Sequence, residues 1–250
     1  MKKVLLYSGG LDSWLISKVW KPDLRLYVDM GTEYSECELE RLPSDVKVVK
    51  LPLAGYSLEN SIIPLRNLYL FSIAANETGF DDVEICLGAL SGDRINDKNL
   101  TFAAKLNDLF DYLYQPQVSQ PGRIVRAVMP YKEYSKTELL QEYLDNGGDI
   151  ETAWNESFSC YHPVNDKPCL DCKACFRKVV PFILCGKTFS DAEKNKIKTY
   201  VKNHVLTDME NFTKDKGKEG KDCLVALGII REWRNVLHAD NFYDIGRAST

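Results

Sequence analysis

No stretch of about 18 consecutive apolar residues occurs in this 250-residue chain, so no membrane-spanning helix is expected. An excess of positive charge is also missing: 32 Lys and Arg stand against 36 Asp and Glu, a formal net charge of -4. No broad basic surface is implied, and nucleic acid is not an expected partner. Cysteine is modest, with eight residues, four of which fall close together. A disulfide scaffold would be unusual at this length, and metal ligation suits the cluster better. Internal repeats and extended low-complexity tracts are lacking. The opening Met1–Leu6 run meets Tyr7-Ser8-Gly9-Gly10 too soon for the apolar segment of a signal peptide, and a cytoplasmic protein is expected. What is there, 44% hydrophobic residues, suffices for one large core with an appended piece.

Short apolar runs at 3–7, 24–28, 46–51, 83–87 and 124–129 read as buried strands. Helical spacing lies between them, at 11–20, roughly 33–41, from Pro64 onward, and at 99–114. Ser135, with Glu138 three residues on, caps a helix predicted to end at Gly147-Gly148. The alternation predicts an α/β fold, a Rossmann-like parallel sheet with right-handed crossovers. Residues 1–150 are read as this domain and 151–250 as a small helical, metal-bearing region. In that region 191–204 is predicted helical, 214–221 a charged linker, and 224–233 a last helix. Near the tail, Arg231, Trp233, Arg234 and His238 read as a helix cap or as residues closing a neighbour's site. Three polar loops, 8–13, 29–32 and 88–93, follow strand ends, where ligands of open parallel sheets sit.

The first of these loops carries the strongest chemistry. An apolar strand runs into Ser8-Gly9-Gly10-Leu11-Asp12-Ser13, which exposes backbone N–H groups in one concave place at a helix start. It lacks the lysine of Gly-x-x-x-x-Gly-Lys-[Ser/Thr] and is not Gly-x-Gly-x-x-Gly. A pyrophosphate group is expected there, with Gly9, Gly10 and the helix N–H groups around it and Ser8 and Ser13 donating hydroxyls. Asp12 reads either as a Mg²⁺ contact or as a helix cap.

The second constellation is Cys160, Cys169, Cys172 and Cys175, spaced C-x8-C-x2-C-x2-C. Four thiolates so spaced can close around one tetrahedral Zn²⁺, with an iron–sulfur cluster as the alternative. All four positions come from protein, so the metal is expected to be structural. Cys37, Cys86, Cys185 and Cys223 are isolated and read as small apolar residues, although Cys37 lies close to the 29–32 loop.

Ser8-Gly9-Gly10-Leu11-Asp12-Ser13 resembles the signature of the N-type ATP pyrophosphatases, the PP-loop family. Pro64-Leu65-Arg66-Asn67 and Ser159-Cys160-Tyr161 with Cys169, Cys172 and Cys175 narrow the resemblance to the 7-cyano-7-deazaguanine synthase family of queuosine-precursor synthesis. The resemblance implies an adenine nucleotide alpha hydrolase-like fold, a homodimer, and ATP, Mg²⁺ and Zn²⁺ as cofactors. It implies ATP-dependent ligation in which the carboxylate of 7-carboxy-7-deazaguanine is activated, ammonia gives an amide, and a second activation gives the nitrile. Ser8, Gly9, Gly10, Leu11, Asp12 and Ser13, with Asp29 and Gly88, would bind ATP. Arg66, Lys136 and Asp12 would be catalytic, Lys136 and Glu138 matching a Lys-x-Glu element of the family. Arg66 or Lys136 would neutralise the anionic reactants, with Arg94 or Lys98 as further candidates. Asn67, Asp93 and Asp97, with Asn96, would read the substrate; Phe102, Tyr131 or Trp154 would stack on it.

Three departures stand out. The family's Asp-Tyr-Gly-Gln-Arg-His run is here Asp29-Met30-Gly31-Thr32-Glu33-Tyr34, its Tyr-Pro-Asp-Cys-Arg-x-x-Phe stretch is reduced to something like Asn96-Asp97-Lys98-Asn99 and Phe102, and the glycine after the second cluster cysteine is Leu170. They leave open a divergent member that acts on a related deazapurine or stops at the amide. Other readings are a PP-loop enzyme that modifies tRNA, an adenylylsulfate-binding enzyme, and a nucleotide sensor or complex subunit without turnover. Dependence of ATP consumption on tRNA, or ATP binding without product, would single these out.

Overall fold

The computed structural model describes residues 1–58, 62–165, 167–214 and 216–233. Among them, β1 (Lys2–Leu6), β2 (Leu24–Asp29), β3 (Lys47–Lys50), β4 (Val83–Leu87) and β5 (Val125–Val128) form one sheet in the order β3-β2-β1-β4-β5. Every neighbouring pair is parallel. The expected strands are all present, with bounds that agree to within one residue. The chain reverses its direction of travel between β1 and β4, and a crevice opens beyond the carboxyl ends of such a pair.

Alternation along β1 explains why its sequence is apolar throughout. Leu5 packs on one face with Leu15, Ile16, Leu139 and Phe182. Val4 and Leu6 pack on the other with Val28, Phe71, Ile85 and Phe110. The second face is covered by α3 (Arg66–Asn76) and α4 (Leu100–Leu113); the first by α1 (Leu11–Val19) and α5 (Lys136–Asp145). A short α2 (Ser35–Leu39) precedes β3. The capping box at Ser135 and Glu138 is formed as expected.

Beyond α5 come α6 (Ile150–Glu156), α7 (Lys173–Leu184), α8 (Asp191–Tyr200), α9 (Met209–Thr213) and α10 (Gly217–Glu232). They share the Leu5 core: Cys175, Phe182, Ile197, Ala226 and Ile230 are buried in it. The helix expected at 191–204 ends in a π-helical turn over Val201–Val205. The charged linker expected at 214–221 is corrected by the structure, because α10 begins at Gly217, seven residues before the expected start at 224. Glycine hid this helix. A Cβ on Gly220 would lie 2.4 Å from the Thr213 carbonyl oxygen, so the close approach of α10 to α9 requires a residue of poor helix propensity. Trp233 accepts a hydrogen bond from Lys198 and packs on Phe189, while Arg234 and His238 lie outside the described residues. No helix of the described residues is long and apolar enough to cross a membrane.

Candidate functional site

The loop after β1 is held by its own hydroxyls. Gly9 has φ +73°, the left-handed turn that lets the chain double back before α1. The Ser8 N–H donates to Ser13 Oγ at 3.2 Å, and Ser13 Oγ donates to the Gly10 carbonyl at 3.1 Å. Gly10 is the N-cap of α1 but offers no side chain. Ser159 supplies the missing acceptor from far along the chain: the Leu11 N–H donates to its Oγ at 3.2 Å. Next to it, the Phe158 N–H donates to the Gly9 carbonyl at 2.9 Å. On the opposite side Gly88 lies against the helix start, where a Cβ would stand in ordinary contact, 3.9 Å from both Asp12 Cβ and the Ser13 nitrogen. The result is a concave, N–H-lined helix start of the kind that attracts anions.

Charges gather beside this loop. Lys136, the first residue of α5, is buried and donates to both carboxylate oxygens of Asp12. Glu219 from α10 lies 4.0 Å from Lys136 and 3.1 Å from Arg177 of α7. Burial works against the Arg177 charge, but Glu219, Asp12 and Asp93 outweigh it and raise its pKa. Two cations and two carboxylates therefore alternate next to the phosphate loop.

A cleft of about 460 Å³ opens here, a size suited to a small ligand. Ser8, Gly10, Leu11, Asp12, Ser13, Gly88, Arg66, Asn67 and Lys136 all line it, so these expected site residues converge. Asn67 is 1% exposed; its side-chain nitrogen donates to the Asp97 carbonyl at 3.2 Å, while its buried Oδ1 has no hydrogen-bond partner among the described residues. Gly9 and Asp29 are not among the lining residues, although their neighbours are. Asp29 Oδ1 instead accepts the Gly31 N–H at 2.9 Å and fixes the turn after β2.

Asp93 and Asp97 are also absent from the lining. The Asp93 carboxylate accepts the Leu90 N–H at 3.0 Å and faces Lys98 at 3.7 Å. Burial opposes its charge, but Lys98 and the Leu90 amide prevail and hold its carboxyl below the usual range. The expected stacking residues are corrected. Trp154 packs edge-on against Phe182 and Phe189, Tyr131 against Tyr134, and Phe102 against Phe71; none of the three lines the cleft. Arg94 donates to the Lys214 carbonyl at 3.1 Å and does not line it either.

Several lining residues carried no role in the sequence reading. Glu38, Tyr27, Cys37, Arg177 and Ser159 are among them. Tyr34 and Tyr161 also line the cleft, their ring centroids 5.2 Å apart. Glu38 was hidden among four glutamates in nine residues, 33–41. Arg177 was detectable only by its place two residues after Cys175.

The four cysteines do meet. The Sγ atoms of Cys160, Cys169, Cys172 and Cys175 all lie within 4.8 Å of one another, and those of Cys169 and Cys175 are 3.9 Å apart. A tetrahedral metal with bonds of about 2.3 Å spaces its sulfurs by about 3.8 Å, so the set fits one ion. Amide N–H groups of Cys169, Asp171 and Cys175 point at the sulfurs of Cys160, Cys169 and Cys172 from 3.3 to 3.4 Å, which favours thiolates. This is a four-cysteine metal-binding cluster, and its first ligand directly follows Ser159, the residue that braces the phosphate loop.

A parallel sheet delivering a Ser-Gly-Gly-x-Asp-Ser loop, backed by a helical four-cysteine module, defines a protein of the PP-loop class. Within that class the chain belongs to the family described as "Queuosine biosynthesis protein QueC", whose model matches residues 42–185. It is similar to a 7-cyano-7-deazaguanine synthase of Alteromonas mediterranea, with 30% identity over 74% of this chain and 95% of the relative. A relative of the same name from Archaeoglobus fulgidus is 28% identical over 80% of this chain and 95% of its own length. 7-cyano-7-deazaguanine synthase 1 of Colwellia psychrerythraea is 24% identical over 72% and 93%. No solved structure matches the chain significantly. The family places the protein among ATP-using enzymes of the ligase type.

Proposed function

We propose that the protein converts 7-carboxy-7-deazaguanine and ammonia to 7-cyano-7-deazaguanine at the expense of ATP. The observation that carries this reading is the convergence of the 8–13 loop with Arg66, Asn67 and Lys136 in one cleft, in a chain of this family. Family membership favours deazapurine chemistry over the tRNA-modifying and adenylylsulfate readings.

In this reading the β- and γ-phosphates lie on the N–H groups at the start of α1, with Ser8 donating and the Ser13 hydroxyl turning to them from the Gly10 carbonyl. Asp12 is the carboxylate that would hold the Mg²⁺ of Mg-ATP; when bound, that ion screens the triphosphate charge. Lys136, the partner of Asp12 in the structure, would stabilise the negative charge that builds on the departing phosphates. Arg66, at the head of α3, would neutralise the substrate carboxylate, whose repulsion from the triphosphate otherwise opposes activation. Asn67, with an unpaired buried oxygen in the same wall, would orient the base. A Zn²⁺ ion would be held by Cys160, Cys169, Cys172 and Cys175 and would be structural. Its role is to fix the 158–160 segment that grips Gly9 and Leu11.

A product that stops at the amide is the second reading, favoured by one observation. Thr32, Glu33 and Tyr34 line the cleft where the family's Gln-Arg-His run is expected. Incubation with Mg-ATP, ammonia and 7-carboxy-7-deazaguanine, with the base followed by mass spectrometry, tests both. Nitrile supports the first, amide alone the second, and an unchanged base in the presence of bound ATP rejects both.

A further inference from the structure

A planar base with a guanine-type edge needs a partner that accepts two adjacent hydrogen bonds, from its ring N1–H and its 2-amino group. A carboxylate is an acceptor-only group with two oxygens and meets that demand. An adenine edge cannot replace it, because its N1 is itself an acceptor beside the single amino donor. The carboxylates expected from sequence to do this, Asp93 and Asp97, are not among the cleft-lining residues. Asp12 lines the cleft but is engaged by Lys136. Glu33 is exposed. Glu38 remains.

Glu38 projects from the short α2 into the cleft wall, half-buried. Its orientation is set from β2: the hydroxyl of Tyr27, a residue 5% exposed, donates to Glu38 Oε2 at 2.8 Å. Tyr27 therefore holds one oxygen and leaves Oε1 to accept a ligand's N–H, with further lone-pair capacity on Oε2. Burial raises the Glu38 pKa against the opposing pull of Tyr27 and Arg66, a sign that the carboxylate sits where water is scarce and a ligand donor would count.

We propose that Glu38 is the specificity-determining residue of the cleft, its Tyr27-held carboxylate accepting the N1–H and 2-amino donors of the deazaguanine base. The inference rests on the deazaguanine reading and adds to it the residue that separates guanine-type from adenine-type bases. Tyr27 is then a positioning residue.

Calorimetric binding of 7-carboxy-7-deazaguanine and of its analogue lacking the 2-amino group provides the test. In the wild-type protein, loss of the 2-amino group is expected to weaken binding about 10- to 100-fold, the effect of losing a hydrogen bond to a charged group. Glu38→Gln should weaken the full base to a similar extent and the analogue, which keeps its N1–H, clearly less, so that the two losses do not fully add. Tyr27→Phe should raise KM for the base with little change in kcat, and ATP affinity should stay constant in both variants. Equal binding of base and analogue by wild-type protein overturns the inference without any variant. Additive losses, or weakened ATP binding with unchanged base binding in Glu38→Gln, also overturn it. If the wild-type protein binds ATP but neither base, the deazaguanine reading itself fails and this inference with it.

Discussion

Lys136 and Asp12 meet as an ion pair across 124 residues of sequence, the first residue of α5 donating to both carboxylate oxygens of the second residue of α1. The pair stands beside the phosphate loop with both members largely buried, at 11% and 28% side-chain exposure. Each therefore sets the electrostatic environment of the other. Removing the lysine leaves the Asp12 carboxylate without the cation that orients it.

Lys136→Met is accordingly expected to lower kcat/KM for ATP by about 10² to 10³, the range found when one charge-stabilising donor is lost. Adding Asp12→Asn should lower kcat/KM little further, because the carboxylate that would hold the Mg²⁺ of Mg-ATP has already lost the lysine that orients it. Steady-state kinetics over a Mg-ATP series, with the single and double variants side by side, checks this. Full additivity of the two changes would show that the pair does not act as a unit.

The 8–13 loop, the capping box at Ser135 and the four cysteines were all legible because their determinants lie within a few residues of one another. So were the five strands, whose apolar runs reflect burial on both faces. Glu38, Arg177 and Glu219 were not legible, since each reaches the cleft only through packing of its helix. Trp154 illustrates the opposite error: an aromatic suited to stacking on a base is spent in the core against Phe182 and Phe189. The start of α10 was concealed because Gly220, which reads as a breaker, answers to a close contact that sequence does not display.

Removal of the metal should reach the phosphate loop. The cluster begins at Cys160, and Ser159 beside it accepts from Leu11 at 3.2 Å. Ser159→Ala is expected to cost about 1 kcal/mol of stability, one net hydrogen bond, and to weaken ATP severalfold with metal content unchanged. Cys172→Ser should lose the metal, lower the melting temperature far more, and weaken ATP at least as much. Elemental analysis, expected to find one zinc per chain, and calorimetric ATP titration measure both effects. Unaltered ATP affinity in the metal-free protein would disprove the link.

Leu170 occupies the position between the second and third cysteines with φ +59°, a left-handed conformation that costs a residue with a Cβ about 1 to 2 kcal/mol. Its side chain is nonetheless 6% exposed and belongs to the core around Cys172 and Cys175. Leu170→Gly thus removes strain and a buried side chain together. Loss of a fully packed leucine costs about 2 to 5 kcal/mol, so the net effect should be destabilisation by up to about 4 kcal/mol. Urea unfolding of the metal-loaded protein gives the sign. A stabilised variant would mean that backbone strain outweighs packing at this turn.

Glu219 reaches the site from α10, beyond the 42–185 segment that matches the family model. It is 3.1 Å from Arg177 and 4.0 Å from Lys136, at 12% side-chain exposure, so it offsets positive charge that would otherwise act fully on a triphosphate. Glu219→Gln keeps the shape and removes the charge. KM for ATP should fall severalfold at low salt as Arg177 and Lys136 exert their full field, and the fall should shrink as ionic strength rises. Turnover should drop at the same time, because the two cations lose the partner that aims them. Gly220→Ala provides the geometric counterpart: its new Cβ, 2.4 Å from the Thr213 carbonyl oxygen, must push α10 off α9 and carry Glu219 with it. It should therefore reduce kcat as Glu219→Gln does, while adding a loss of stability that Glu219→Gln lacks. If both variants leave KM and kcat unchanged, α10 supports the fold alone and has no part in the site.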